Sequence, residues 1–275
     1  MKLLQNLHVH STFCDGNDTP EEIVETAIEK GFASIGFSSH SYMHYSPFCQ
    51  KYPCIRDEVK PLYIAEICRL KEKYAARIEI FCGLEMDMYS EVDLTGYDYL
   101  IGSVHYLDIH GEKVGFDSTA EQVKAVIDTY FGGDGLAYAK AYYQTIAKLP
   151  RHGDFDIIGH FDLITKHSEK VAFFDENDPR YKRYAVDALE ALKGKIPLFE
   201  VNTGAVSRGY RTTPYPNPFL LKELKRLGFG AIITSDCHHK DALDCRYEQA
   251  ADLLKSCGFT EQYIFTKDGF QAVGI

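Results

Sequence analysis

Two histidines one residue apart, His8 and His10, close the apolar lead-in Leu4 to Leu7 and run into the polar stretch Ser11 to Gly16. The pattern reads as a short buried strand leaving into a loop. Alternate strand residues face one side with Cα atoms about 6.6 Å apart, so both imidazoles can reach a single metal ion. A lone His-x-His is a common pattern, and its weight here comes from recurrence. His40, Glu85, His105 and His160 each end an apolar run, Asp236 and His238 end another, and Asp15 sits in the loop after the first. Nine such side chains (His8, His10, Asp15, His40, Glu85, His105, His160, Asp236 and His238) would be costly to bury together without cations to compensate them. A metal cluster is the chemistry they imply.

The elements that must carry these residues alternate along the chain. Strands are expected at residues 4–9, 33–39, 78–85, 99–104, 155–159, 196–202 and 230–235, with a last short one at 263–265. Between them lie helical patterns. Thr19, Pro20 and Glu22 open one helix that Gly31 stops, and others run at 61–76, after a capping box at Ser118 to Glu121, at 136–148, from Asp178 to Gly194, at 219–227 and at 247–257. Residues 41–60, aromatic and interrupted by Pro47 and Pro53, and residues 106–117 read as long loops placed to cover a site. Alternating strands and helices predict right-handed βαβ units and a parallel sheet. Ligand-type residues at the ends of six of seven strands fit the rim of an α/β barrel with seven strands; an open doubly wound sheet would gather a site at one switch point instead.

The bulk numbers agree with one enzyme-sized domain spanning residues 1–275. Apolar residues make up 45% and charged residues 25%, and the formal charge of −10 disfavours extended contact with nucleic-acid phosphates. Eight cysteines without a Cys-x-x-Cys pair read as reduced thiols. The start, Met1 to Asn6, lacks the apolar core of a signal peptide, and no run is long enough to span a membrane, so a cytoplasmic location is the expectation.

Taken together, His8-x-His10, Asp15, His40, Glu85 in Gly-Leu-Glu, His105 in Gly-Ser-Val-His, His160 in Ile-Gly-His-Phe-Asp and Ser235-Asp236-x-His238 resemble the polymerase and histidinol phosphatase (PHP) superfamily. Gly159 to Ile164, Glu200-Val201-Asn202-Thr203, Arg208 and Tyr215-Pro216 resemble its histidinol-phosphatase branch, and the likeness runs from Leu7 to His239. The resemblance implies a distorted seven-stranded barrel and three divalent metal ions (zinc, iron or manganese). His8, His10, Glu85 and Asp236 would hold one ion. Glu85 would bridge to a second held by His105 and His160, and Asp15, His40 and His238 would take the third. Asp15 stands where some relatives have histidine, so a harder ion is favoured there.

The implied reaction is hydrolysis of L-histidinol phosphate in histidine biosynthesis, by attack of a metal-bridging hydroxide on phosphorus with Asp236 or a neighbouring histidine such as His238 relaying protons. Arg208 and Arg211 are the candidates for a bidentate hold on the phosphate, Lys166 is a further one, and His44 is a candidate contact for the imidazole end. His110, His152, His167 and His239 are given no role. The expected partner is a small phosphate ester. The alternatives are another phosphomonoester, a nucleotide or nucleic acid within the same enzyme class, and a non-catalytic metal-binding domain. A degenerate relative would lack ligands, and all nine positions here carry ligand-type residues.

Overall fold

The structure, a computed structural model, describes residues 4–275; the first three residues of the Met1 to Asn6 segment lie outside them. Seven parallel strands form one sheet: Gln5–Asn6, Ser34–Phe37, Glu79–Asp87, Tyr99–Ser103, Ile157–Ile158, Leu198–Asn202 and Gly230–Thr234, each beside its predecessor. The first and last strands meet through a parallel bridge between Val9 and Cys237. His10 N–H donates to Cys237 O at 3.0 Å, and Asn6 Nδ2 donates to Ser235 Oγ at 2.6 Å. The result is a nearly closed (β/α) barrel, distorted where the first and fifth strands pair over only two residues each. Helices cover its outside, which explains why the strands are apolar on both faces.

Inside the barrel Leu7, Phe81, Tyr99, Ile101, Ile157, Leu198 and Ile232 form a separate core. Tyr99 lies flat across two glycines: a Cβ on Gly83 would stand 2.3 Å from its ring, and one on Gly36 would stand 2.5 Å from its hydroxyl oxygen. Glycine is needed at both because the ring occupies the side-chain space. The expected short strand at 263–265 lies within the first strand of a hairpin, Glu261–Thr266 with Gly269–Gly274. Its Tyr263, Phe265 and Phe270 plug the end of the barrel where the strands begin, and the Gln5 side-chain amide holds the Phe265 backbone, Nε2 donating to Phe265 O and Oε1 accepting from Phe265 N–H, both at 2.7 Å. The opposite, C-terminal end is left for the site.

Helix positions follow the sequence reading closely, with Thr19 and Glu22 closing the expected capping box on Pro20–Glu29. Three local expectations need correction. The second box is Thr119 with Gln122, one residue later than expected, and the helix Ala120–Phe131 ends at Gly132 in the left-handed conformation. Residues 41–60 contain a short helix, Pro47–Lys51: Ser46 caps it, and Pro47 occupies the first turn, where a missing N–H costs nothing. Residues 106–117 contain a β-hairpin, Tyr106–Ile109 with Glu112–Gly115. His110 (φ 54°) and Gly111 (φ 90°) supply the two positive φ angles that a two-residue hairpin turn demands. All eight cysteines are unpaired, and among the described residues no helix is long and apolar enough to cross a membrane.

Candidate metal centre

All nine predicted ligand-type residues come to the C-terminal rim. The extended segment beyond Gln5–Asn6 presents His8 and His10, and the loop after it returns Asp15. Ser34–Phe37 leads to His40, which bridges in parallel to Glu85 on the third strand. His105 and His160 follow the fourth and fifth strands, and Asp236 and His238 follow the seventh. Their donor atoms fall into three groups, each within 4.8 Å: His10, Asp15, His40 and His238; His8, His10 and Asp236; and Glu85, His105 and His160. Glu85 stands in the middle. Its Oε2 is 2.8 Å from His40 Nδ1, 3.3 Å from His8 Nε2 and 3.6 Å from His10 Nε2, and its Oε1 is 3.0 Å from His160 Nε2. His10 takes part in two groups, a sharing the sequence does not reveal.

The donor set fits divalent cations. His8 Nε2, His10 Nε2, Asp15 Oδ1, Glu85 Oε2 and His160 Nδ1 are buried without a hydrogen-bond partner, an expensive arrangement for polar atoms unless they share cations. Against the opposition of burial, the Glu200, Glu85 and Asp236 carboxylates hold the His8 pKa well above its ordinary value. Glu85 and Asp15 do the same for His40. His10 is pushed down to about 3, first by burial and then by His238 and His40, so its imidazole is neutral.

Two further carboxylates orient the histidines from behind. Glu200 on the sixth strand is fully buried. Its Oε2 accepts from His8 Nδ1 at 2.8 Å and Thr234 Oγ1 at 2.7 Å, and its Oε1 accepts from Asn202 Nδ2 at 2.8 Å and from His160 N–H. Asp87 accepts from His105 Nδ1 at 3.2 Å and from His105 N–H at 2.8 Å. Such partners fix the tautomer and direction of a ligating imidazole. The sequence reading assigned neither; the available signal was Glu200, a charged residue inside an apolar strand that ends in no ligand.

Asp236 adopts φ 45°, in the left-handed region that non-glycine residues avoid. A Cβ on Gly204 would come within 2.9 Å of Asp236 Cβ and Oδ2, so the glycine admits this close approach. Arg208, at the end of the short helix Gly204–Ser207, donates through Nη2 to Asp236 Oδ2 at 3.0 Å and through Nη1 to Asp236 O at 2.8 Å. It therefore stands at the rim. Arg211 does not: it is buried, its guanidinium donates to Thr165 O at 2.8 Å and to Thr213 O at 3.3 Å, and its charge lies 5.0 Å from the Tyr215 ring centroid. The expectation that it grips phosphate gives way to a brace between loops, because its donors are spent on backbone and hydroxyl oxygens. Lys166 follows the turn after His160 and pairs with Asp117. His44 is exposed with its ring edge-on to Tyr45. His110, His152, His167 and His239 belong to none of the three groups.

Known proteins resemble this chain over most of its length. The PHP domain model matches residues 6–204, and the fold adds Asp236 and His238 to the same rim. A Deinococcus radiodurans protein named "Probable histidinol-phosphatase" is 29% identical over 266 residues, covering 91% of this chain and 92% of its own. The histidinol-phosphatase of Bacillus subtilis is 26% identical over 271 residues, covering 88% and 96%. Among solved structures, the histidinol phosphate phosphatase of Lactococcus lactis, complexed with zinc, L-histidinol and phosphate, superposes with a TM-score of 0.73 at 22% identity, covering 97% of this chain and 98% of its own. The chain belongs to the PHP domain family.

Proposed function

We propose that this protein is a metal-dependent phosphomonoesterase that hydrolyses L-histidinol phosphate to L-histidinol and phosphate, in the biosynthesis of histidine. The observation that carries the reading is the convergence of nine ligand-type side chains, several with partnerless buried donor atoms, beside an exposed edge of Arg208. Relatives named for this activity align over about nine-tenths of the chain. The three groups of donors are assigned to three divalent ions, zinc, iron or manganese, with Asp15 favouring the harder ion in its group. Phosphate monoesters hydrolyse very slowly unaided, and divalent cations in such a site supply an activated water and positive charge for the phosphoryl oxygens.

The chain's own groups do the rest. Arg208, held on Asp236 by two hydrogen bonds, keeps further guanidinium N–H donors for phosphate oxygens. Asp236 and His238 stand together beside Arg208, with Arg208 Nη1 3.0 Å from His238 Nδ1, and are positioned to take and pass on protons. Protein purified without chelator and analysed for metals should release phosphate from L-histidinol phosphate in preference to p-nitrophenyl phosphate, nucleoside monophosphates and oligonucleotides. His10→Ala and Asp236→Asn should abolish turnover while the protein stays folded. Preferred hydrolysis of any other substrate, or full activity in either variant, would overturn the assignment.

A further inference from the structure

We propose that Asp117 recognises the leaving group by accepting the protonated amine beside the phosphoester, and that the Asp117–Lys166 ion pair is a ready-made receptor for an aminoalkyl phosphate. The assignment rests on L-histidinol phosphate being the substrate and adds to it the group that selects that ester over others. The fold delivers the pair to the metal centre from two sides. The hairpin after the fourth strand returns to its own start, where Phe116 N–H donates to His105 O at 3.2 Å, so Asp117 emerges beside His105. From the fifth strand, His160 leads into the turn Leu163–Thr165, and Lys166 follows directly. Lys166 Nζ donates to Asp117 Oδ1 at 2.7 Å and lies 4.5 Å from the Tyr210 ring centroid.

Six other carboxylates at this end of the barrel are committed, and Asp162 beyond His160 is fully buried, with Oδ2 accepting from Asn217 N–H at 2.9 Å. Asp15, Glu85 and Asp236 face the imidazoles, Glu200 and Asp87 hold histidines from behind, and Glu169 accepts the Thr212 N–H. Asp117 has a single side-chain hydrogen bond among the described residues, to a lysine on a flexible stem, and 31% of its side chain is exposed. Burial opposes its charge, but Lys166, His105 and His160 hold its pKa well below the usual carboxylate range, so it is ionised.

In L-histidinol phosphate the ammonium and the ester oxygen sit on neighbouring carbons. The protein groups that meet the ammonium and the phosphoryl oxygens must therefore be neighbours too, of opposite charge, as Asp117 and Lys166 are. Substrate entry exchanges partners: Lys166 turns to a phosphoryl oxygen and Asp117 takes the ammonium, so no charge is left uncompensated. An ester without an amine draws Lys166 away and leaves a bare carboxylate facing its phosphate, which selects against simple monoesters.

The test compares L-histidinol phosphate with its des-amino analogue, 3-(imidazol-4-yl)propyl phosphate, in metal-loaded wild type, Asp117→Asn and Asp117→Glu. In wild type the ratio of kcat/KM values favours the amine-bearing ester. Asp117→Asn should lower that ratio about 10- to 100-fold, the loss of one charge-assisted hydrogen bond, and Asp117→Glu should restore most of it. Calorimetric binding of L-histidinol against the des-amino alcohol should show the same change without turnover. Asp117→Ser serves the same comparison should the amide variant melt early. An unaltered ratio in Asp117→Asn overturns the role of Asp117 and leaves the substrate standing. Wild type that hydrolyses the des-amino ester and not L-histidinol phosphate overturns the substrate itself.

Discussion

Glu200→Gln isolates what the outer carboxylate does, because the substitution keeps shape and removes only an acceptor. Both oxygens of Glu200 are saturated with donors: Asn202 Nδ2 and His160 N–H on one, His8 Nδ1 and Thr234 Oγ1 on the other. A glutamine must turn an NH2 toward one of these pairs. Facing the first, it meets a backbone N–H that cannot change and an Asn202 amide whose own oxygen already accepts from Gly204 N–H at 2.8 Å. Facing the second, it meets the Thr234 hydroxyl, which can rotate, and His8, which can accept at Nδ1 only by moving its proton to Nε2. That tautomer removes the lone pair that His8 turns toward Glu85 and Asp236. Loss of such an orienting partner costs about 10- to 100-fold in metal affinity, roughly 1.4 to 2.8 kcal/mol. The assay is metal content after graded chelator dialysis, with the melting temperature recorded with and without metal. Wild-type affinity in Glu200→Gln would show that His8 is oriented by packing alone and refute this account.

Tyr99→Phe should destabilise by about 1 to 3 kcal/mol in denaturant unfolding, since the Tyr99 hydroxyl is the buried donor to Leu7 O and Phe37 O at the point where His8 begins; no change would mean that those carbonyls find other partners. Arg211→Leu should cost about 2 to 3 kcal/mol, by leaving Thr165 O and the partly exposed Glu169 without their cation. A raised KM for phosphate ester at unchanged stability would restore Arg211 to the phosphate-binding role that its sequence position implies.

Most of the rim was legible because its signals are local. His-x-His on a strand and an imidazole or carboxylate at the end of an apolar run need only strand periodicity to be read, and parallel strands must bring such ends together. What escaped depends on partners distant in sequence. Glu200 and His8 are 192 residues apart, and nothing near Glu200 announces that its carboxylate is spent on that imidazole. Arg211 and Arg208 look alike in sequence, yet one reaches Asp236 and the other Thr165, a difference set by how the loop after Gly204–Ser207 folds back. The hairpin at 106–115 was missed because its turn is His110-Gly111, where a histidine takes the left-handed position that asparagine or aspartate more often fills.

The charge balance of the rim ties these residues into one device. Asp15, Glu85, Asp236, Glu200 and Asp87 put five carboxylates around one end of the barrel, and Arg208 is a guanidinium that touches one of them, Asp236. A surplus of buried negative charge must be answered, and by protons alone it falls to His8, His40 and His105, each raised against the opposition of burial by neighbouring carboxylates. Metal ligation needs neutral imidazoles, so cations and these protons compete for one set of lone pairs, and low pH favours the protons. In His8 and His105 the outer carboxylate grips the Nδ1 side of the ring and leaves Nε2 facing Glu85. The proton that remains is then fixed where it does not obstruct a cation. The sixth strand contributes no residue to any of the three groups, but through Glu200 it decides which nitrogen of His8 is free to bind.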